Sequence, residues 1–275
     1  MLMLEKSRRR APSIMPEVMR LLAKWGVKVD AIYPEARLTD LAKLRIEHDL
    51  YFLKSGSDLA WSIAGALHAA GAKVIDPYPV AALMRDKIIA TRILQEAGIP
   101  TPESYVNSRP EQLVPLLDQG ALLVKPHLGS NGRGVRVVWD VDELDDLPSG
   151  QGPVFAQRYH KPDGLDRKIY CIGGQLFGVE RVWPAQTYAE KLGTPFTIPP
   201  ELRDIALRCG RAFGVDLYGV DVIVSDGRPY VVDVNSFPGF KGVPDAALRV
   251  ADYIYATARR VLEGGPARLT EAACA

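Results

Sequence analysis

Three oxygen-bearing side chains near the C-terminal end of the chain are spaced so that a hairpin would bring them together. Alternating residues predict a strand around Asp221, Asp226-Gly227 predicts a turn, and the return strand carries Asp233 and Asn235. Residues two apart project from one strand face, and antiparallel pairing can set Asp221 against that face. Two carboxylates and an amide oxygen suit Mg²⁺ (or Mn²⁺) held partly by substrate phosphates. The alternative, a solvent-facing polar stripe, is weaker because the neighbours are Val, Ile and Tyr.

A glycine-rich loop follows a predicted apolar strand at residues 121–125. Alone, such a loop is more often a simple hairpin, although its backbone N–H groups can approach an anion closely. Lys125, at the end of the apolar strand, strengthens the second interpretation because its ammonium group would point beneath the loop. The loop residues proposed to bind phosphate are Gly129, Ser130, Asn131 and Gly132.

These motifs together resemble a known enzyme family. Asp221, then Asp233-Val-Asn235, then Pro238-Gly239 is similar to the magnesium-binding signature of ATP-grasp enzymes. Residues 235–243 resemble the RimK-type branch of amino-acid ligases most closely, and they are also similar to the inositol-phosphate kinases of the same fold. The resemblance covers roughly residues 77–264. Each motif alone would be weak, whereas the combination is specific.

The resemblance implies roles for further residues. Lys125 would contact the α-phosphate and the adenine side, and Lys87 would be the second phosphate contact, although sequence alone indicates a surface Asp86-Lys87 pair. Asp166 would accept from the ribose. The hinge would meet the adenine, with Gln157 reading its exocyclic amine. The hinge residues are Gln157, Arg158 and Tyr159, and Arg158 departs from the glutamate that many family members carry here.

Two basic residues are candidates for the reacting phosphate. Lys168 and Arg181 lie on adjoining strand candidates, so one sheet face could present both cations. They would neutralise a transferred γ-phosphate or an acyl phosphate. An ordinary pair of exposed basic residues explains them nearly as well. Some ATP-grasp ligases have an arginine where this chain has Gly219, which leaves Arg181 as the substitute.

Composition limits the class of protein. The chain has 275 residues, a net charge of +1 and the hydrophobic and charged fractions of an ordinary globular protein. Without a basic excess, we expect no nucleic-acid partner. Three widely spaced cysteines argue against a disulfide framework or a zinc site. No signal-peptide pattern or membrane-length apolar segment is evident, so we expect a cytoplasmic protein without a membrane partner.

The predicted elements form an N-terminal α/β unit with a mostly parallel sheet, followed by a mixed region. The N-terminal unit has strands at 1–4, 27–33, 49–53 and 73–76 and helices at 13–25, capped by Ser13, and 58–70. Beyond it we predict helices at 81–97, 110–119, 201–214 and 245–262 and strands at 121–125, 135–138, 154–159, 168–172 and 175–182, besides the hairpin. The resemblance implies an ATP-grasp fold (α/β and α+β) with a Rossmann-like pre-ATP-grasp domain. We place the boundaries at 1–80 (N-terminal domain), 81–155 (central lid domain), 156–265 (C-terminal domain with the metal site) and 266–275 (tail).

The resemblance implies an ATP- and Mg-dependent carboxylate–amine ligase. The carboxylate would attack the γ-phosphorus of ATP, and an amine would trap the acyl phosphate. Substrates would be small molecules or a peptide or carrier-protein tail, and homo-oligomerisation stays open. The alternative is a small-molecule kinase, in which Lys168, Arg181 and Lys241 would grip a polyanion. A catalytically silent nucleotide-binding protein is disfavoured by the intact Asp221, Asp233 and Asn235 set.

Overall fold

Three β-sheets follow one another along the chain and divide the molecule into an N-terminal, a central and a C-terminal part. The structure, a computed structural model, describes residues 2–4, 13–129, 134–145, 152–183 and 187–267. Within these ranges, no helix combines the length and the apolar character that crossing a membrane requires.

The N-terminal sheet is parallel, as predicted. Its strands and helices are β1 (Leu2–Leu4), α1 (Met15–Lys24), β2 (Ala31–Ile32), β3 (Tyr51–Lys54), α2 (Asp58–Ala69) and β4 (Val74–Ile75). The strand order is β2-β1-β3-β4. Two predictions were wrong in detail. The strand at 27–33 is reduced to two residues, and Ile14 rather than Ser13 occupies the N-cap of α1, while the Ser13 hydroxyl accepts from the Met15 N–H at 3.2 Å.

The single helix predicted at 81–97 is two helices. They are α3 (Tyr78–Arg85) and α4 (Lys87–Glu96), and Asp86 lies between them in extended conformation. Its carboxylate accepts from the Ile88 N–H at 2.9 Å and caps α4, which is a local alternative to continuing the helix. The break places Lys87 at the first position of α4, where its N–H donates to the His127 carbonyl at 3.0 Å.

The central sheet is antiparallel. It comprises β5 (Ser104–Asn107), α5 (Val114–Leu117), β6 (Leu122–Pro126), β7 (Arg136–Val138), α6 (Val141–Asp145) and β8 (Val154–Arg158), with strand order β5-β8-β6-β7. The helix predicted at 110–119 is a 3-10 turn (Pro110–Leu113) followed by the short α5, consistent with a proline at position 115. The glycine-rich loop joins β6 to β7, and its residues Ser130, Asn131 and Gly132 lie outside the described ranges.

The C-terminal sheet carries the predicted hairpin. Its elements are β9 (Leu165–Ile172), β10 (Gln175–Val182), α7 (Tyr188–Leu192), β11 (Thr194–Phe196), α8 (Pro200–Phe213), β12 (Leu217–Ser225), β13 (Arg228–Ser236) and α9 (Ala246–Leu262). The antiparallel order is β11-β10-β9-β12-β13. The turn from β12 to β13 has positive φ at Asp226 (49°) and Gly227 (74°), as a tight two-residue hairpin turn requires.

Buried apolar side chains join the N-terminal part to the C-terminal sheet. Val18 of α1 and Phe52 of β3 belong to the same core cluster as Leu217 of β12 and Val250 of α9. A second cluster packs α4 and α8 against the other face of the C-terminal sheet. The central sheet has a separate cluster built around Leu122, Val138 and Ala156. These packing relations hold the C-terminal sheet between two apolar layers and leave a cleft where the three parts meet.

Candidate functional site

A cleft of about 1600 Å³ lies between the three parts of the molecule. Every site residue proposed from the sequence and described by the structure lines it. These are Lys87, Lys125, Gly129, Gln157, Arg158, Tyr159, Asp166, Lys168, Arg181, Asp221, Asp233 and Asn235. They come from four of the five strands of the C-terminal sheet (β9, β10, β12 and β13), from the central sheet and its flanks, and from the start of α4.

The two carboxylates of the hairpin face each other. Asp221 on β12 and Asp233 on β13 are paired across the ladder, and a register shift follows directly after Asp221. The Asn235 amide donates to the Asp233 carboxylate at 3.3 Å, so the third oxygen-bearing side chain is within reach of the pair. Burial raises the pKa of Asp233; Lys87 opposes this effect and Asp221 adds to it. Two close, poorly solvated carboxylates are therefore poised to gain from a cation.

The donor set fits a hard divalent ion that keeps open ligand positions. Among the described residues, no group of three His, Cys, Asp or Glu side chains is arranged to hold a metal. Two carboxylates and one amide oxygen leave the remaining positions to water and substrate oxygens, which is how Mg²⁺ is commonly bound beside phosphates. Asp221, Asp233 and Asn235 are the residues that would hold it.

Two lysines pair with these carboxylates. Lys168 on β9 is directly opposite Asp221 in the ladder and forms an ion pair with it. The Lys87 ammonium lies 3.7 Å from the Asp233 carboxylate. Burial lowers the pKa of Lys168, but Asp221 and then Asp166 raise it, and the net direction is upward. Lys168 is thus a cation at neutral pH, beside the proposed metal position.

Lys125 is a buried lysine on β6 of the central sheet. Its side chain is only 6% exposed, and its ammonium donates to the Val232 carbonyl at 2.8 Å, next to Asp233. Burial lowers its pKa to about 8, although Asp233 acts in the opposite direction. Lys87 donates to the Gly129 carbonyl at 2.7 Å, so it bridges α4 and the start of the glycine-rich loop. The ammonium groups of Lys87 and Lys125 thus come from separate elements and are close enough to interact electrostatically, and such a pair of cations suits a phosphate.

The hinge residues differ in what they offer to a ligand. Gln157 is 2% exposed; its amide nitrogen donates to the Ser104 hydroxyl at 3.0 Å, while its buried oxygen has no partner among the described residues. An orphaned acceptor of this kind suits an amine donor. The Arg158 guanidinium instead donates to the carbonyls of Leu116 (3.1 Å) and Gly120 (2.6 Å), which braces the end of β8. The Tyr159 ring packs edge-on against Trp139.

A second ionic pair lies on the strands β9 and β10. Asp166 and Arg181 are opposite each other in the ladder and form an ion pair, and the Arg181 Nε atom is buried without a partner among the described residues. Lys241 lies nearby. Burial lowers its pKa, as do the positive charges of Arg181, Lys191 and Lys168. This end of the cleft has more cations than carboxylates and is suited to an anion.

Sequence reasoning missed residues that the N-terminal sheet brings to the cleft. Lys54, at the end of β3, donates to the carbonyls of Phe237 (2.5 Å) and Pro238 (2.9 Å), and burial lowers its pKa to about 8. Asp76, just beyond β4, accepts from the Ser236 hydroxyl at 2.8 Å. Lys54 ends an apolar strand as Lys125 does, and that shared pattern could have singled it out.

Known proteins resemble this chain in the region that contains the site residues described above. The family model described as "RimK-like ATP-grasp domain" matches residues 84–256. A probable alpha-L-glutamate ligase of Parasynechococcus marenigrum (strain WH8102) is 26% identical over 200 residues, covering 67% of this chain and 43% of that protein. The coenzyme gamma-F420-2:alpha-L-glutamate ligase of Methanocaldococcus jannaschii is 25% identical over 203 residues, covering 69% of this chain and 70% of that protein.

A solved structure gives the same fold. The D-alanine–D-alanine ligase of Bacillus anthracis complexed with ATP superposes with a TM-score of 0.73 at 22% identity, covering 96% of this chain and 98% of that chain. The sequence relatives are matched over part of their length, since this chain spans less than half of the Parasynechococcus protein. The family and the ATP-grasp fold anticipated from the hairpin motif are confirmed.

Proposed function

We propose that this chain, which belongs to the RimK-like ATP-grasp family, is an ATP- and Mg²⁺-dependent ligase that joins a carboxylate to an amine. The observation that carries the proposal is the arrangement of facing carboxylates Asp221 and Asp233 beneath the ammonium groups of Lys87 and Lys125. Carboxylates that can bind a metal ion, next to ammonium groups that can bind phosphate oxygens, suit a metal–nucleotide complex. Both sequence relatives reported above are named as ligases, which supports the ligase reaction over other uses of ATP.

The residues of the cleft have separable tasks in this reaction. Asp221, Asp233 and Asn235 would hold Mg²⁺, which supplies charge neutralisation between the phosphate oxygens when bound. Lys87 and Lys125 orient the phosphates, and the unpaired Gln157 oxygen receives the exocyclic amine of the adenine. Orientation of reactants accounts for much of the rate in phosphoryl transfer.

Two further groups act where charge develops. A carboxylate oxygen attacks the γ-phosphorus, the bond to the ADP oxygen breaks, and an acyl phosphate forms. Lys168 and Arg181 stabilise the negative charge on that phosphate. The amine then forms the C–N bond, the C–O bond to phosphate breaks, and phosphate leaves. The substrates would be small molecules, or a peptide or carrier-protein tail, and a cytoplasmic location stays a prediction.

The domain boundaries are part of the same proposal. The spans 1–80, 81–155 and 156–265 separate the strands of the three sheets, except that β8 (Val154–Arg158) crosses the second boundary. ATP would lie between the central and C-terminal sheets, where Lys125 of β6 contacts the Val232 carbonyl of β13.

The fate of the γ-phosphate tests the ligase proposal. The protein is incubated with γ-³²P-ATP, Mg²⁺ and a panel of the common amino acids and D-alanine, with and without hydroxylamine. We expect radioactivity in free phosphate that depends on carboxylate and amine together, and hydroxamate when hydroxylamine replaces the amine. Radioactivity in an acid-stable phosphate ester would instead identify the kinase, for which the cations Lys168, Arg181 and Lys241 could grip a polyanion.

A pair of variants within one hairpin controls this assay. Asp233→Asn removes a charge from the proposed metal set. Asp226→Asn makes the same chemical change in the exposed turn, where asparagine tolerates the positive φ of 49°. Loss of turnover in the first variant only would tie the activity to this cleft, and equal loss in both would contradict the metal assignment.

A further inference from the structure

A buried carboxylate in the cleft has no part in the nucleotide site described above. Asp76 is 3% exposed, lines the cleft, and follows β4 at the C-terminal edge of the parallel N-terminal sheet. Ligands of such sheets commonly bind at this edge. No ion pair among the described residues includes Asp76, although a buried carboxylate normally requires a cation or neutralisation.

Asp76 is attached to the hairpin that carries the proposed metal residues. The Ser236 hydroxyl donates to its carboxylate at 2.8 Å, and Ser236 directly follows Asn235. The contact joins the N-terminal sheet to β13 within the cleft that also contains Asn235. A substrate group held by Asp76 would therefore lie close to the place where the acyl phosphate forms.

The charged groups around Asp76 do not supply its missing cation. Asp216, before β12, and the phenol of Tyr253 on α9 are its ionisable neighbours, and they interact with each other through a hydrogen bond. Lys54, on the neighbouring strand β3, directs its ammonium to the Phe237 and Pro238 carbonyls instead. A positively charged ligand group is the partner that this carboxylate lacks.

We propose that Asp76 binds the ammonium group of the amine substrate and removes one proton from it before the nitrogen attacks. This inference rests on the ligase function proposed above. The released lone pair forms the C–N bond to the acyl carbon, and the C–O bond to phosphate breaks. The second proton of the attacking nitrogen leaves with the phosphate, and Asp76 returns its proton to water. The amine site is thus assigned to the N-terminal sheet, opposite the nucleotide.

The environment of Asp76 suits it to this exchange at neutral pH. Its pKa is raised to about 7, because burial and the charge of Asp216 raise it more than the hydrogen bonds from the Ser236 hydroxyl and the Phe237 backbone lower it. A base whose pKa lies near the working pH exchanges protons efficiently in both directions.

The test compares two nucleophiles on the same acyl phosphate. The carboxylate and amine identified by the amino-acid panel are used, and hydroxylamine replaces the amine in a parallel assay. Hydroxylamine is largely unprotonated at neutral pH and needs no base. We expect Asp76→Asn to lower amide formation by about 100-fold or more, the usual contribution of a general base. Hydroxamate formation should fall far less. The amide rate of the variant should keep rising into the alkaline range, where free amine accumulates in solution.

Ser236→Ala gives a second, independent readout. It keeps the carboxylate and removes the hydrogen bond that lowers the pKa of Asp76, so the rise of the amide rate with pH should move to higher pH. This variant also tests the inference if Asp76→Asn does not fold. Equal losses of amide and hydroxamate in Asp76→Asn, or an unmoved pH profile in Ser236→Ala, would overturn the role of Asp76 while leaving the ligase in place. Absence of hydroxamate in the unaltered protein would refute the ligase function and the inference together.

Discussion

We predict that nucleotide binding is accompanied by proton uptake at Lys125, the buried lysine of β6. Burial lowers the pKa of Lys125 to about 8, so near pH 8 about half of the free protein carries this side chain unprotonated. Phosphates placed beside the amine favour its charged form and return the pKa toward the ordinary value of 10.5. Nucleotide binding at pH 8 should therefore take up roughly half a proton at this residue.

Lys125→Met removes this titrating group while keeping an unbranched apolar side chain in its place. The loss of a hydrogen bond to a charged group costs about 1.5–3 kcal/mol, which corresponds to roughly 10- to 150-fold weaker nucleotide binding. The variant should fold, because the unaltered protein already disfavours a buried ammonium at this position. Lys161→Met, at an exposed position outside the cleft, is the matched control.

Calorimetry in buffers of different ionisation enthalpy measures the uptake. A non-hydrolysable ATP analogue is titrated with Mg²⁺ at pH 8 and at pH 6.5, and the dependence of the binding enthalpy on the buffer gives the number of protons. Other groups, including Lys54 with a pKa of about 8 and Asp76 with a pKa of about 7, are common to both proteins. The difference between unaltered protein and Lys125→Met isolates Lys125, and it should vanish at pH 6.5.

The reasoning fails if both proteins take up the same number of protons at pH 8. It also fails if Lys125→Met binds the analogue as tightly as Lys161→Met does. The first result would mean that the phosphates do not approach Lys125, and the second that the glycine-rich loop is an ordinary hairpin.

Three further predictions concern the remaining polar groups. Asp233→Asn should abolish turnover without a loss of melting temperature, measured against Asp226→Asn, since desolvation already disfavours the carboxylate. Gln157→Met should weaken the binding of ATP more than the binding of inosine triphosphate, which lacks the exocyclic amine. Equal losses of affinity in binding titrations would exclude the Gln157 oxygen as the acceptor for that amine. Asp76→Asn should be more stable than the unaltered protein at pH 8. In the folded protein the pKa of Asp76 is about 7, above its ordinary value of 3.8. The contribution of Asp76 to the free energy of unfolding is therefore fully present below pH 3.8 and is lost as the pH rises through 7. The upper limit is roughly 4 kcal/mol, and the advantage in chemical denaturation should disappear near pH 4.

The hairpin could be predicted because its information is local. Alternating valines, an Asp-Gly turn and the spacing of Asp233 and Asn235 fix which side chains share a face within a few residues. The observed pairing of Asp221 with Asp233 confirms that prediction. The parallel N-terminal sheet and most strand positions followed from the same kind of short-range periodicity.

The features that could not be predicted depend on side-chain caps that compete with helix formation, or on contacts between residues far apart in the chain. Asp86 interrupts a sequence with continuous helical periodicity, since its side-chain cap replaces one helix by two. The edge strands β5 and β11 carry weak patterns and are stabilised by pairing with β8 and β10. Lys54 and Asp76 reach the cleft only because β3 and β4 pack beside the end of β13 and the residues that directly follow it, more than 150 residues away along the chain.

The distribution of apolar packing explains why lysines, rather than hydrophobic side chains, make the contacts across the cleft between the central and C-terminal sheets. The core cluster of the central sheet is confined to residues between Leu113 and Ala156, whereas the N-terminal part and C-terminal sheet share one core. Polar contacts cross the intervening gap, among them Lys125 to the Val232 carbonyl and Lys87 to Asp233. Separating the central sheet therefore exposes little of a shared apolar core, and opening of this kind costs less than unfolding either part. Nucleotide phosphates, by binding the same lysines, would act directly on the contacts that set how closely the two sheets approach.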